Sequence, residues 1–141
     1  IYQLLGIISL NTGNLEESIY NFNLSLNIMP KNSGALYNLG VINQRLNNLE
    51  KAKEYFFKSL AINSSFIDVH INIAQIYERE KKIFDADNHY QKAFSIKKDH
   101  PYLNRAYARF LINTGETKKG LSLMYKNIGC IRFGKSNVEI N

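Results

Sequence analysis

The sequence predicts an all-α fold built from about four helical hairpins. Three observations predict it: apolar residues recur at three- and four-residue spacing, small residues recur at a longer constant interval, and turn-forming residues interrupt the pattern at fixed offsets. Of the 141 residues, 45% are hydrophobic and 21% are charged, which supplies enough apolar material for a packed core and argues against disorder.

Two columns of small residues run through the chain at the same constant interval. The columns are Gly6, Gly40, Ala74, Ala108 and Ser18, Ala52, Ala86, Gly120. A glycine inside a helix costs on the order of 1 kcal/mol relative to alanine, so a neighbouring group must need the space. We therefore predict that the columns mark the points where the two helices of each hairpin cross.

The period divides the chain into four repeats of two helices each. The predicted boundaries are 1–32, 33–66, 67–100 and 101–128. The two helices of each repeat are separated at Gly13, Asn47, Lys81 or Gly115. Glycine and asparagine tolerate the left-handed conformation that ends a helix, so at least three of these positions are typical helix ends.

These residues resemble the tetratricopeptide repeat. The family has a leucine–glycine pair in its first helix and an alanine followed four residues later by phenylalanine in its second. Here Leu39, Gly40, Ala52 and Phe56 match that pattern, and Ile73, Ala74, Ala86 and Tyr90 follow it in the next repeat. The resemblance implies a right-handed α-solenoid whose first helices line a concave groove for an extended peptide.

The two ends of the chain depart from the repeat. Ile1 enters a helix already under way, so we expect residues upstream of it. Near the other end, Asn127 stands where the family needs a small residue to seat the next repeat. We therefore expect the array to stop there, with 129–141 forming an extended tail or the start of a further segment.

The resemblance also implies which residues line the groove. They are Tyr37, Asn38, Val41, Arg45, Asn72, Gln75, Arg79, Tyr102, Arg105 and Arg109, with Gln3, Leu4, Ile7, Asp68, Ile71 and Asn113 at further groove positions. Asn38 and Asn72 share a register, and an amide both donates and accepts hydrogen bonds. The resemblance implies an asparagine ladder like that of O-linked N-acetylglucosamine transferase; the alternative is a coincidental, solvated pair.

Charge is unevenly distributed along the chain. The net charge is +6, with five Lys and Arg against four Asp and Glu in residues 1–66, and thirteen against eight in residues 67–141. Arg79, Arg105 and Arg109 favour an acidic partner segment, and an ordinary solvated surface is the alternative.

No catalytic motif is visible. His70, His89 and His100 are scattered without a partnered nucleophile or a phosphate-binding loop, and His70 is interpreted as a packed or capped histidine. We expect no catalytic residue, no metal and no cofactor. The apolar opening IYQLLGIISLN is too short to span a bilayer, so we expect no membrane association. The single Cys130 excludes an internal disulfide and fits a cytoplasmic location.

The sequence favours a protein- or peptide-binding scaffold. One alternative is a substrate-recruiting region of a larger transferase or hydroxylase whose catalytic domain lies outside this chain. Another is a helical repeat that binds single-stranded RNA, but such repeats need a regular code at groove positions and none is visible.

Overall fold

The computed structural model describes residues 1–127, which contain eight α-helices and no strand. The helices are α1 Tyr2–Asn11, α2 Leu15–Ile28, α3 Ser33–Arg45, α4 Leu49–Ile62, α5 Ile67–Arg79, α6 Ile83–Ile96, α7 Pro101–Asn113 and α8 Thr117–Asn127. The all-α prediction is confirmed. The predicted tail, 129–141, lies outside the described residues.

The helices form two compact units. The N-terminal unit spans Ile1–Lys97 and contains three hairpins, α1–α2, α3–α4 and α5–α6. Within it the hairpins stack, because α2 packs on α3 and α4 packs on α5. The C-terminal unit begins at Lys98 and contains the hairpin α7–α8. Short turns join the two helices of each hairpin, so these helices run antiparallel.

The turn within each hairpin has the same backbone geometry. Gly13, Asn47, Lys81 and Gly115 all have positive φ, at 84°, 61°, 59° and 95°. The predicted left-handed positions are confirmed, and Lys81 adopts this conformation although its β-carbon disfavours it. In the first three hairpins the following residue donates its N–H to the carbonyl five residues back, at 2.8–2.9 Å, which closes the helix end.

Close approach of the two helices explains the glycines. A β-carbon added at Gly40 would lie 2.5 Å from Cε1 of Phe56, and one at Gly6 would lie 2.8 Å from the same atom of Phe22. In the last hairpin, a β-carbon at Gly120 would lie 2.7 Å from the carbonyl oxygen of Ala108. The small columns therefore mark helix crossings as predicted, and in the first two hairpins the glycine makes room for an aromatic ring.

The core of the N-terminal unit lies between successive hairpins. Phe22 of α2 belongs to one buried cluster with Leu39 and Ile42 of α3. Phe56 of α4 belongs to the next cluster with Ile73 and Ile76 of α5. Full burial of each such side chain stabilises the fold by about 1.5–3 kcal/mol. This packing holds α3 and α5 in place as neighbouring helices.

Candidate functional site

The candidate site is one face of the N-terminal unit, formed by α3 and α5. We define the α3–α5 face by the seven predicted groove residues of these two helices, which are Tyr37, Asn38, Val41, Arg45, Asn72, Gln75 and Arg79. The three predicted residues of α7 lie in the C-terminal unit and are described separately.

Asn32 positions the start of α3. Its side-chain oxygen accepts a hydrogen bond from the backbone N–H of Ala35 at 3.0 Å, which caps the helix. Its amide nitrogen donates to Gln3 of α1 and to the hydroxyl of Ser25 of α2, both at 3.0 Å. A single side chain therefore ties α3 to the two helices before it. Sequence reasoning missed this role, because a cap signal does not reveal contacts with distant residues.

Asn38 and Asn72 hold their side chains against their own helices. The amide nitrogen of Asn38 donates to the carbonyl of Gly34 at 2.8 Å, and that of Asn72 donates to the carbonyl of Asp68 at 2.9 Å. Each bond uses one of the two amide donors, and Asn72 directs its second donor towards the hydroxyl of Tyr37. The groups with capacity for a ligand are therefore both amide oxygens and the second donor of Asn38. Both side chains are half-buried. The two amides are thus held by the same hydrogen bond on the first helices of successive hairpins.

An aromatic contact joins α3 to the start of α5. The ring of Tyr37 lies 4.9 Å from the ring of Phe66 and 6.1 Å from that of Phe56, measured between centroids. Its hydroxyl lies 3.5 Å from the amide nitrogen of Asn72. Val41, one turn further along α3, packs against the same buried cluster. Tyr37 and Val41 are therefore half-buried, with one side packed on the core. Tyr37 also links the two amides, because it precedes Asn38 in α3 and its hydroxyl lies near Asn72.

The other end of the α3–α5 face is cationic. Arg45 and Arg79 occupy equivalent positions in the last turns of α3 and α5, and both are exposed. Neither forms an ion pair within residues 1–127. Gln75 lies half-buried between Asn72 and Arg79 along α5.

One predicted groove position is wrong. Ile71 is fully buried, at 0% exposure, so it belongs to the core and does not line a surface. It follows His70 in a run of three buried residues on α5. The packing of α5 on more than one neighbour widens its buried face beyond the stripe that a simple groove pattern assumes.

In the C-terminal unit, α7 presents an aromatic and basic face. Tyr102 is 49% exposed, and Arg105 and Arg109 are also exposed, so the three residues lie along one side of the helix. The helix begins with Pro101 after His100, whose Nδ1 accepts a hydrogen bond from the N–H of Leu103 at 3.2 Å. Proline at the first helical position and this cap fix where the helix starts.

An ion pair that involves the buried Lys53 lies outside the α3–α5 face. Nζ of Lys53 is 2.7 Å from Glu80 and 2.8 Å from Glu50. Burial by itself lowers the pKa of Lys53, but hydrogen bonds to Glu50 and Glu80 outweigh this and raise it. Hydrogen bonds from Lys53 and Lys82 lower the pKa of the Glu80 carboxyl. The pair links α4 to the end of α5 and is structural.

Within residues 1–127, no group of three or more His, Cys, Asp or Glu side chains lies close enough to hold a metal ion. No helix in this part of the chain is both long and apolar enough to cross a bilayer.

Comparison with known families identifies two of the repeats. Residues 33–66 and residues 67–100 each match a family model described as tetratricopeptide repeat. No curated protein sequence matches the chain at a significant level.

Solved structures with a similar fold include MamA proteins. A crystal structure of MamA has a TM-score of 0.77 and 17% identity, with 90% of this chain and 74% of that chain covered. The MamA protein of Desulfovibrio magneticus RS-1 has a TM-score of 0.75 and 14% identity, with 90% and 72% covered. A mutant O-GlcNAc transferase of Thermobaculum terrenum has a TM-score of 0.72 and 17% identity, and the match covers 78% of this chain but only 21% of the transferase. At such identities the likeness concerns the fold alone.

Proposed function

We propose, from the premise that residues 33–100 of this chain are two tetratricopeptide repeats, that the chain is a protein-binding scaffold that holds an extended peptide segment along the α3–α5 face. Repeats of this family support protein interaction, and successive hairpins create extended surfaces that suit a long, narrow partner. The proposal concerns the N-terminal unit first, because both matched repeats lie almost entirely within it.

The observation that carries the proposal is the matched pair of amides. Asn38 and Asn72 are anchored by equivalent hydrogen bonds to their own helices, at 2.8 and 2.9 Å. An extended peptide offers carbonyl and N–H groups at regular intervals along its backbone. Amides that repeat in register on successive helices can bind these groups whatever the side chains of the partner. Because the amides are already oriented, less side-chain entropy is lost on binding.

Tyr37 and the arginines suggest how the partner is selected. Tyr37 offers an aromatic surface between the two amides. Its ring is held in place by contact with the ring of Phe66 and is only half-buried. Arg45 and Arg79 are exposed cations at the same end of the two helices. Cations in the last turn also stabilise a helix through its dipole, by about 0.3–1 kcal/mol, so this effect alone accounts for their placement in the helix. We propose that they also favour a partner with acidic residues at one end of its bound segment.

The α7 face supplies a second proposed contact with the same chemical preference. Tyr102, Arg105 and Arg109 combine an exposed ring with two guanidinium groups on one side of α7. Guanidinium groups bind carboxylates with paired hydrogen bonds. This face is proposed as a site for an acidic stretch of a protein partner rather than for a nucleic acid.

The test is a binding screen followed by substitution. A phage-displayed library of random peptides is selected against the full chain, and the affinity of the recovered peptides is measured by fluorescence polarisation. We expect Asn38→Ala combined with Asn72→Ala to weaken binding by about tenfold, since each amide contributes at least one hydrogen bond of modest net value.

A matched control replaces two amides on the second helices. Asn23→Ala combined with Asn88→Ala removes exposed asparagines from α2 and α6 and should leave the affinity unchanged. A loss of less than about twofold in the Asn38/Asn72 variant, with the fold intact by circular dichroism, would refute the amide ladder. Arg45→Gln combined with Arg79→Gln should weaken acidic peptides and leave neutral ones unaffected.

A further inference from the structure

A hydrogen-bonded chain of polar groups lies buried in the α5–α6 hairpin. Nδ1 of His70 is 3.1 Å from Nδ1 of His89, and Nε2 of His70 is 3.1 Å from the carbonyl oxygen of Ser64. The two histidines are only 6% and 8% exposed. The chain of hydrogen bonds therefore joins three elements: the turn before α5, α5 itself and α6.

The chemistry of the partners determines where the protons lie. The Ser64 carbonyl only accepts, so Nε2 of His70 must carry a hydrogen and donate it. In neutral His70 the other nitrogen, Nδ1, is then an acceptor, and Nδ1 of His89 must donate to it. The ring centroids are 5.3 Å apart, so the two Nδ1 atoms face each other between the rings. The arrangement is complete when both imidazoles are neutral.

The surroundings oppose added positive charge. The edge of Phe57 from α4 and the ring of Tyr77 from α5 lie against His89, at centroid distances of 6.0 and 5.8 Å. Lys92 of α6 is the nearby charge that acts on both histidines. The cations Lys53 of α4 and Lys82 lie 5.6 and 5.8 Å from the centre of the Tyr77 ring. Carboxylates Glu50 and Glu80 are paired with Lys53.

Burial lowers the pKa of both histidines. For His70 the loss of solvation outweighs the bond to the Ser64 carbonyl, which by itself raises the pKa. For His89 burial comes first, followed by the neighbouring His70 and Lys92, and together they lower the pKa to about 4. Protonation of the pair is therefore opposed in the folded state.

We propose that the His70–His89 pair is an acid-sensitive clamp that fastens the α5–α6 hairpin to the turn at residues 63–66. Well above pH 6.5 both rings are neutral in the folded and unfolded chain, and the clamp stabilises the fold fully. As the pH falls below 6.5, the unfolded chain takes up protons that the folded clamp resists, so stability decreases until the folded pair itself titrates. Once both rings are charged, an N–H lies on each side of the Nδ1 contact and the hydrogen bond is lost.

The clamp also bears on binding, a consequence that rests on the proposed function. α5 carries Asn72 and Gln75 of the α3–α5 face, so an acid-loosened α5–α6 hairpin would release a bound segment. The clamp itself is tested without any ligand, so its failure and that of the proposed function are distinguishable.

The next repeat contains a pH-insensitive counterpart of the hydrogen bond between His70 and the carbonyl of Ser64. In the next repeat, Asn104 takes the position of His70 and Lys98 takes the position of Ser64. The amide nitrogen of Asn104 donates to the carbonyl of Lys98 at 2.8 Å, so an asparagine makes the same bond to the preceding turn. This makes His70→Asn a conservative variant, because its amide can donate to Ser64 and accept from His89.

The first experiment measures thermal unfolding of the full chain between pH 7 and pH 5, where Asp and Glu with ordinary pKa values stay ionised. We expect the Tm of the wild type to fall by about 5 °C or more over this range, and that of His70→Asn to fall by less, because only the buried His89 of the pair still resists protonation. His100→Asn keeps a capping side chain on α7 and should retain most of the decrease. Equal decreases in wild type and His70→Asn, or a decrease that disappears with His100, would overturn the proposal.

A second experiment needs no variant that could fail to fold. Long-range ¹H–¹⁵N spectra of the wild type at pH 7 report which ring nitrogen carries the hydrogen. We expect the Nε2–H form for His70 and the rarer Nδ1–H form for His89, with His89 still neutral at pH 5.5 and His70 titrating below its usual range. Fast averaging between the two forms at His89, or titration of both rings near pH 6.5, would contradict the clamp.

Discussion

Two neighbouring hairpins of this chain differ in polarity at the same two positions of the repeat. In α3–α4 these positions hold Leu36 and Tyr55, and in α5–α6 they hold His70 and His89. Leu36 is buried and Tyr55 packs against the cluster that contains Leu39, whereas the histidines are buried and hydrogen-bonded. These two positions of the repeat can thus hold either apolar side chains or polar side chains that are hydrogen-bonded to each other. Only the polar pair makes the stability of the fold depend on pH.

The hairpins also differ at the helix crossing. The α3–α4 hairpin has Gly40 against the ring of Phe56, while the α5–α6 hairpin has Ala74 at the equivalent position. A β-carbon is therefore accommodated in one crossing and excluded from the other. The difference shows that the repeat pattern specifies a small residue, and that the local ring position decides how small it must be.

The largest expected effect comes from filling the tighter crossing. Gly40→Leu should destabilise the N-terminal unit by about 3 kcal/mol and lower its Tm by roughly 10 °C or more, because even a β-carbon would lie 2.5 Å from Phe56. Thermal unfolding followed by circular dichroism measures the change. Combining Gly40→Leu with Phe56→Ala should recover part of the loss. An unchanged melting curve would show that the ring is not confined there.

The next effect comes from breaking the polar pair on one side. His89→Leu leaves Nδ1 of His70 buried without its donor and should cost about 2 kcal/mol at pH 7, measured by urea unfolding. Replacing both residues by their α3–α4 counterparts, His70→Leu with His89→Tyr, should cost less than the single change and remove the dependence on pH between 7 and 5. A double variant less stable than His89→Leu would contradict the comparison.

A smaller effect is expected at the start of α3. Asn32→Ala removes the cap of Ala35 and the bonds to Gln3 and Ser25, and should cost about 1.5 kcal/mol. The start of α5 provides the comparison, because its N-cap residue, Phe66, makes no side-chain cap bond. Hydrogen exchange should show faster opening of the first turn of α3 in the variant, with α5 little changed. Equal acceleration in both helices would mean that Asn32 acts on the whole unit.

The smallest effect concerns the ion pair between the hairpins. Glu80→Gln should cost about 1 kcal/mol at pH 7, because Lys53 keeps Glu50 as a partner. The folded pKa of Glu80 is lowered, so its contribution is present above about pH 4.5 and is lost as the pH falls below that value. The wild type and Glu80→Gln should therefore converge in stability as the pH falls through the lowered folded pKa of Glu80. A constant difference down to pH 3 would exclude a role for the carboxylate charge.

Much of the fold could be predicted because helical signals are local. The spacing of apolar residues and the left-handed turn at Asn47 depend on residues within one or two turns of each other, and the small columns could be found because the same local pattern recurs in every repeat. The site was less predictable. Asn38 and Asn72 were found through the register, but the burial of Ile71 depends on how many neighbours α5 packs against.

By itself, the sequence determined that the chain forms helical hairpins in a repeating register, because backbone hydrogen bonds and side-chain periodicity act over a few residues. Only the tertiary structure decided which distant polar groups meet. His70 and His89 are 19 residues apart, and Lys53 and Glu80 are 27 apart. A hydrogen bond forms only when the donor–acceptor distance is right to within a few tenths of an ångström and the donor points at the acceptor. This distance and this angle depend on the rotation of each helix and on the side-chain rotamers that packing selects.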